Sequence, residues 1–162
     1  MKHTHQNSQR GPSLNRLAVS ATTHCLTGCG FGEVLGLVIA TALGWGDVAS
    51  IAIAVVLAFI FGYALTMLPL LRSGMAFAAA TGLALAADTV SIAVMEIIDN
   101  GVMLLIPGAM EAGLGTFRFW GSLAVALAIA WVVAFPVNRW LISRGLGHAK
   151  VHERHGHGSV RR

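Results

Sequence analysis

Charged residues are scarce in this chain, and two long stretches contain none. Only 11% of its 162 residues are Asp, Glu, Lys or Arg, against about 25% in a typical soluble domain. No formal charge occurs in residues 48–71 or in residues 119–138. Each stretch can cross a hydrocarbon layer about 30 Å thick, which takes roughly 20 apolar residues in a helix. An ordinary soluble domain is therefore excluded, and a membrane protein is indicated.

Other features that the sequence lacks reduce the number of possible functions. The two cysteines, Cys25 and Cys29, lie four residues apart in an apolar stretch, which does not suggest a disulfide framework and favours reduced thiols. We find no nucleophile–base–acid arrangement, phosphate-binding loop or dinucleotide-binding fingerprint, so an enzyme is not favoured. The first sixteen residues are polar, and no small-x-small cleavage site follows them, so no cleaved signal peptide is expected.

The hydrophobic pattern predicts an all-α, polytopic membrane helical bundle with four transmembrane helices. Between the third and fourth helices, residues 99–118 contain Pro107 and four glycines, which predicts a short outer or half-inserted segment. A proline cannot donate a backbone hydrogen bond, so we expect the second helix to stop near Pro69. The predicted spans are Leu17–Leu43, Val48–Leu68, Met75–Ile98 and Phe119–Leu141.

Basic residues are concentrated towards the two ends of the chain. Residues 1–16 and 143–162 are predicted to be tails, the second basic and His-rich, around a four-span domain at residues 17–142. The predicted side with both tails and Arg72 has ten Lys and Arg residues, and the other has only Arg118. The positive-inside rule then predicts the cell inner membrane with both termini cytoplasmic. Basic flanks of this kind favour anionic lipid headgroups over nucleic acid as a partner.

The first predicted span carries a row of chemically reactive side chains. At about 100° per residue, Cys25, Cys29 and Glu33 stack on one face of the helix. With His24 nearby, the thiols suit Cu(I) or Zn better than a hard cation. The alternative is a packing surface in which cysteine is a small apolar side chain. A second row of glycines predicts close helix packing in either case; it consists of Gly28, Gly32 and Gly36.

The third predicted span carries acids, which are costly in a membrane and are expected to face the protein interior. Asp88 and Ser91 share a face with Met95 and Asp99. Asp88 and Cys29 lie at similar predicted depths, so the two polar rows are expected to meet. Asp88, Ser91 and Glu33 are candidates for an ion or proton path; the alternative is an aspartate hydrogen-bonded to a neighbouring helix for assembly alone. Glu96 and Asp99 are expected to be solvated near the outer headgroups.

Two further sets of side chains have metal-binding chemistry but a simpler interpretation. Imidazoles of the C-terminal tail could collect a metal, although glycines there favour a solvated, flexible segment. Methionines near the outer end could bind Cu(I), but methionine is also an ordinary filler of apolar gaps. These residues are His148, His152, His155 and His157 in the tail, and Met95, Met103 and Met110 in the bundle.

Several motifs are spread over residues 20–150. They are His24-Cys25-x-x-Gly28-Cys29-x-x-Gly32-Glu33, Pro107-Gly108-Ala109-Met110, Phe119-Trp120, Pro136-Val137-Asn138-Arg139-Trp140-Leu141 and Gly145-x-Gly147-His148. Together they resemble the bacterial and archaeal membrane family DUF4396. The resemblance implies a compact multi-span domain and supplies no activity. The His and Asn signature of that family would map onto His24 and Asn138, with His148 also fitting as a structural or ligand-contacting residue.

The leading functional hypothesis is transport or sensing of a soft transition metal, Cu or Zn, with His24, Cys25 and Cys29 as ligands. Two cysteines on one helix cannot complete a tetrahedral site, so other helices or other subunits of a homo-oligomer must contribute. The second hypothesis is a non-catalytic membrane scaffold or assembly protein. The third, which alone is enzyme-like, is a thiol-dependent membrane redox component.

Overall fold

The computed structural model describes residues 13–144, which form four long α-helices and contain no strand. All four helices are long and apolar enough to cross a membrane. The predicted all-α bundle with four transmembrane helices is therefore confirmed. The helices are α1 (Leu14–Ala42), α2 (Asp47–Arg72), α3 (Phe77–Leu105) and α4 (Phe117–Ser143).

Each connection reverses the chain, so α1 and α3 run in one direction and α2 and α4 in the other. Residues 43–46 and 106–116 lie at one end of the bundle, which we call the loop end. Residues 73–76 lie at the opposite end, which we call the tail end. Helix α1 contacts each of the other three helices, so a side chain on α1 can meet partners from several directions.

Small residues bring α1 and α2 into backbone contact. Every fourth residue on this face of α1 is glycine, and each glycine is buried. A Cβ atom built on Gly28 would lie 2.7 Å from the Cα atom of Gly62, and one built on Gly32 would overlap the Ala58 backbone. Close approach of this kind is how membrane helices associate without a hydrophobic driving force. The facing pairs are Gly28 with Gly62, Gly32 with Ala58, and Gly36 with Ala54.

Two predicted helix ends are wrong. Helix α2 passes through Pro69 and ends at Arg72. A proline is tolerated within a membrane helix because its surroundings or a local adjustment of the helix re-satisfy the backbone group that it frees. Helix α3 continues to Leu105, seven residues beyond the expected end at Ile98. Gly101 does not interrupt it, and the apolar residues that follow extend the span by about 10 Å at 1.5 Å per residue.

The short segment between α3 and α4 packs onto the loop end of the bundle. Ala109 is fully buried in an apolar cluster with Phe119. The indole Nε1 of Trp120 donates a hydrogen bond to the Leu114 carbonyl over 2.7 Å, and the Arg118 guanidinium donates to the Pro107 carbonyl. Both donors belong to the first turn of α4, so this segment is attached to the start of that helix.

Candidate functional site

A row of polar side chains runs along the contact between α1 and α3. Because the two helices are parallel, steps of three or four residues keep the rows on both helices facing each other. The row spans residues 88–99 of α3, about 16 Å at 1.5 Å per residue, which is more than half of a hydrocarbon layer. We call it the polar column. Its members, all buried, are Cys25, Cys29 and Glu33 of α1 and Asp88, Ser91, Glu96 and Asp99 of α3.

The half of the column nearer the tail end joins three helices. The thiol Sγ of Cys25 lies 4.0 Å from Oδ1 of Asp88, and Ser91 is beside the same thiol. The His24 Nε2 atom is 3.3 Å from the hydroxyl of Thr66 on α2. Asp88 also interacts with both Thr66 and His24. A half-buried imidazole, a buried thiol and a buried carboxyl group are thus neighbours.

The half nearer the loop end is more acidic. Cys29 lies beside the carboxyl group of Glu96, and Glu33 faces Asp99. The Asn100 side chain donates hydrogen bonds to the Glu96 carbonyl, over 3.0 Å, and to its Oε2 atom, over 3.4 Å. Along the column, two thiol–carboxyl pairs are therefore followed, towards the loop end, by one pair of carboxyl groups.

The expectation that Glu96 and Asp99 are solvated is wrong. Their side chains are 5% and 2% exposed. The reason is the greater length of α3, which continues past both residues to Leu105 and keeps them within the packed bundle. The spacing between Asp88 and Asp99 correctly predicts that both face the interior, and only the predicted depth of Asp99 is wrong.

The donors of the column are not gathered into one metal-binding group. Within residues 13–144, no three His, Cys, Asp or Glu side chains are placed to hold one metal ion. The three expected ligands are distributed along the column: Cys25 pairs with Asp88, Cys29 pairs with Glu96, and His24 pairs with Thr66. Both thiols are free and buried.

Asn138 connects α4 to α1 near the tail end. Its side-chain amide donates a 2.9 Å hydrogen bond to the hydroxyl of Thr22, which donates in turn to the Ala18 carbonyl over 2.8 Å. Sequence reasoning missed Thr22, although it lies three residues before Cys25 and therefore on the same face of α1. His148 and the other tail histidines lie outside the described residues.

We expect the Asn138–Thr22 hydrogen bond to stabilise the bundle by about 1 kcal/mol, the usual size of a polar contact between membrane helices. A double-mutant cycle of Thr22→Val and Asn138→Leu, measured by denaturation in detergent, gives the coupling directly. Additive effects of the two substitutions would show that the bond contributes nothing.

Two other features lie near the predicted residues, an exposed hydrogen bond between α2 and α3 and two buried methionines. Tyr63 of α2 and Thr89 of α3 share a 2.9 Å hydrogen bond, which ties those helices together beside Asp88. Met95 and Met103 are buried in apolar clusters, where a flexible thioether fills space. Sequence reasoning missed Tyr63 and Thr66. The signal that could have identified them is a hydroxyl group within an otherwise apolar span.

Comparison with known proteins gives one match. The model of a family described as a domain of unknown function, DUF4396, matches residues 15–147. This range takes in all four helices except the first residue of α1. No curated protein and no solved structure matches the chain.

Proposed function

The chain belongs to the DUF4396 family, whose description names no activity, and we propose from its geometry that it conducts a soft transition-metal cation, Cu(I) or Zn(II), through the membrane along the polar column. One observation carries the proposal. The two thiols of α1 face two carboxyl groups of α3, one pair about a helical turn above the other, inside a bundle of membrane-spanning helices. Ionisable side chains in such a place are costly, and they commonly mark ion pathways.

The donor chemistry favours a soft or borderline cation. Thiolate sulfur selects Cu(I) and Zn over Mg²⁺ or Ca²⁺, and imidazole is a ligand that Zn and Cu share. Cys25 and Cys29 supply the sulfur and His24 supplies the imidazole. Asp88, with Ser91 beside it, supplies oxygen and negative charge at the level of Cys25, and Glu33 extends the ion or proton path towards the loop end.

Pairs of ligands suit the conduction of a metal ion better than its permanent binding. A structural zinc site surrounds its ion with four protein ligands, whereas conduction requires several sites that each hold the ion weakly enough to release it. Each thiol–carboxyl pair of the column offers an ion only two ligands, so the successive pairs meet the requirement for conduction. For this reason we propose transport over sensing.

The scaffold hypothesis is the second candidate, and it has support of its own. The glycine contacts between α1 and α2 and the Asn138–Thr22 hydrogen bond join three helices without any ligand. A protein whose polar groups only lock helices together would need nothing more. The redox hypothesis draws on the two free thiols of α1, one helical turn apart.

We further propose an inner-membrane location with both termini cytoplasmic. The distribution of Lys and Arg supports this orientation, and Trp45 at the loop end and Trp140 at the tail end fit the two interfacial belts of aromatic residues. A homo-oligomer remains part of the proposal, because a second copy could complete the ligand set of a bound ion. The glycine row of α1 does not support it, since α2 of the same chain covers that row.

Metal binding by purified protein tests the proposal. After reconstitution with Cu(I) or Zn(II), elemental analysis should find metal in the wild type and at least about ten-fold weaker binding in the Cys25→Ser, Cys29→Ser variant, since the loss of even an outer-shell partner of a metal ligand typically costs about 10–100-fold in affinity. Thr27→Ser is the matched control, because the Thr27 hydroxyl only donates to the Thr23 carbonyl of the same helix. Equal metal content in the wild type and the double variant, or none in either, contradicts the proposal.

A further inference from the structure

The half of the polar column near the loop end contains three buried carboxyl groups. The exposed fractions of Glu33, Glu96 and Asp99 are 3%, 5% and 2%. Glu33 approaches from α1, and the other two come from α3. Such a group of acids needs a positive charge or a proton to be stable in a membrane interior.

Two of these carboxyl groups have oxygen atoms with no hydrogen-bond donor. Among the side chains that the structure describes, none bonds to Oε2 of Glu33 or to either carboxyl oxygen of Asp99. The two groups nevertheless face each other. When both are ionised, neither can donate to the other, because an ionised carboxylate is only an acceptor. One proton held between them supplies the missing donor.

The charged and titratable groups of the neighbouring helices have other positions or partners. On α1 and α3, Cys29 and Glu96 are the remaining titratable groups beside the pair. On α2, Asp47 is at the exposed start of the helix and the Tyr63 hydroxyl bonds to Thr89. On α4, the Arg118 guanidinium bonds to the Pro107 carbonyl.

A groove between α2 and α3 is lined by one of these acids, Glu96. It has a volume of about 320 Å³ and apolar walls that include Ile51, Val55 and Phe59. Its polar lining comes from Glu96 and Asn100, which are hydrogen-bonded to each other. Glu96 therefore lies between the groove and the interior of the column.

We infer that Glu33 and Asp99 form a proton-binding site at the loop end of the polar column, in which the two facing carboxyl groups share one proton. The O–H bond of the shared carboxyl proton breaks, a water molecule accepts the proton, and the pair is left with one additional negative charge. A metal cation that enters the column from the Cys29 level offsets that charge. When the cation leaves on the opposite side of the membrane, the pair takes up a proton from that side, so each cation that enters is exchanged for a proton; this coupling rests on the proposed function, whereas the proton-binding site does not.

Infrared spectroscopy of the purified, metal-free protein tests the site. The wild type should show the carbonyl stretching band of a protonated carboxyl group, and this band should shift in D₂O. Glu33→Gln and Asp99→Asn, which preserve side-chain shape, should each lose it. Glu111→Gln is the control, because Glu111 is exposed in the connection between α3 and α4, and it should retain the band. A wild-type spectrum without the band, or an Asp99→Asn spectrum identical to it, overturns the inference.

The coupling is tested in sealed liposomes that contain a pH-sensitive dye and receive external Zn²⁺. Zinc entry through the wild type should make the lumen more alkaline as protons leave, and Asp99→Asn should abolish that pH change. Zinc entry without a protonated-carboxyl band would overturn the proton site while leaving the proposed function intact. A band without any zinc entry would contradict the proposed function while leaving the proton site intact.

Discussion

Gly32→Ala is expected to lower the free energy of unfolding by about 2–3 kcal/mol, the size of an overpacking defect in a tightly packed interior. A methyl group at position 32 would overlap the Ala58 backbone. Backbone atoms cannot rotate away as a flexible side chain can, so α1 and α2 must separate. Separation loosens the contacts on that face of α1, which supports the polar column on the neighbouring face. Denaturation in detergent, followed by circular dichroism, measures the effect.

Gly30→Ala is the matched control for this experiment. A Cβ atom at position 30 would meet only Cδ1 of Leu127, at 3.8 Å, an ordinary van der Waals contact. Alanine also favours the helix over glycine by up to about 1 kcal/mol, so this variant should be as stable as the wild type or more stable. Similar losses at both positions would show that the close approach of α1 and α2 is not what stabilises the bundle.

Asp88→Asn is expected to reduce metal flux by about ten-fold or more. Asp88 supplies the carboxyl group at the level of Cys25. Asparagine keeps the shape of the side chain and removes its negative charge, so a cation at that level loses an attraction of about 1.5 kcal/mol or more, the size of the coupling between close opposite charges, which is a factor of at least about ten. The rate of Cu(I) or Zn²⁺ entry into proteoliposomes measures the change.

Two variants make the flux measurement specific. Ser50→Ala removes only a hydroxyl that donates to the Gly46 carbonyl in the first turn of α2, and it should conduct as the wild type does. Asp88→Glu retains the charge and should recover part of the flux. If Asp88→Asn conducts metal at the wild-type rate, the carboxyl group is a structural contact, which favours the scaffold hypothesis.

The fold was predictable because hydrocarbon imposes a simple condition on sequence. A span needs about 20 apolar residues in one helix, so the four helices are visible in composition alone. Helix ends are less visible, because a proline such as Pro69 and a glycine such as Gly101 can be accommodated when packing supplies what the backbone loses. For this reason α2 and α3 both extend beyond their predicted ends.

The candidate site was predictable in part. Helical spacing placed Cys25, Cys29 and Glu33 on one face of α1 and Asp88 and Asp99 on one face of α3. The spacing could not give the register between the two helices, which pairs Cys25, and not Cys29, with Asp88. Register depends on how closely α1 and α2 approach and on where α3 begins, and these follow from packing over the whole bundle.

The central claim is that the polar column carries a metal cation. Metal entry into sealed proteoliposomes tests it most directly, with the wild type compared with the Cys25→Ser, Cys29→Ser variant and with protein-free liposomes. We predict entry through the wild type well above the protein-free rate, and a rate for the double variant close to that of empty liposomes. Wild-type entry equal to that of empty liposomes, for both Cu(I) and Zn²⁺, would contradict the account.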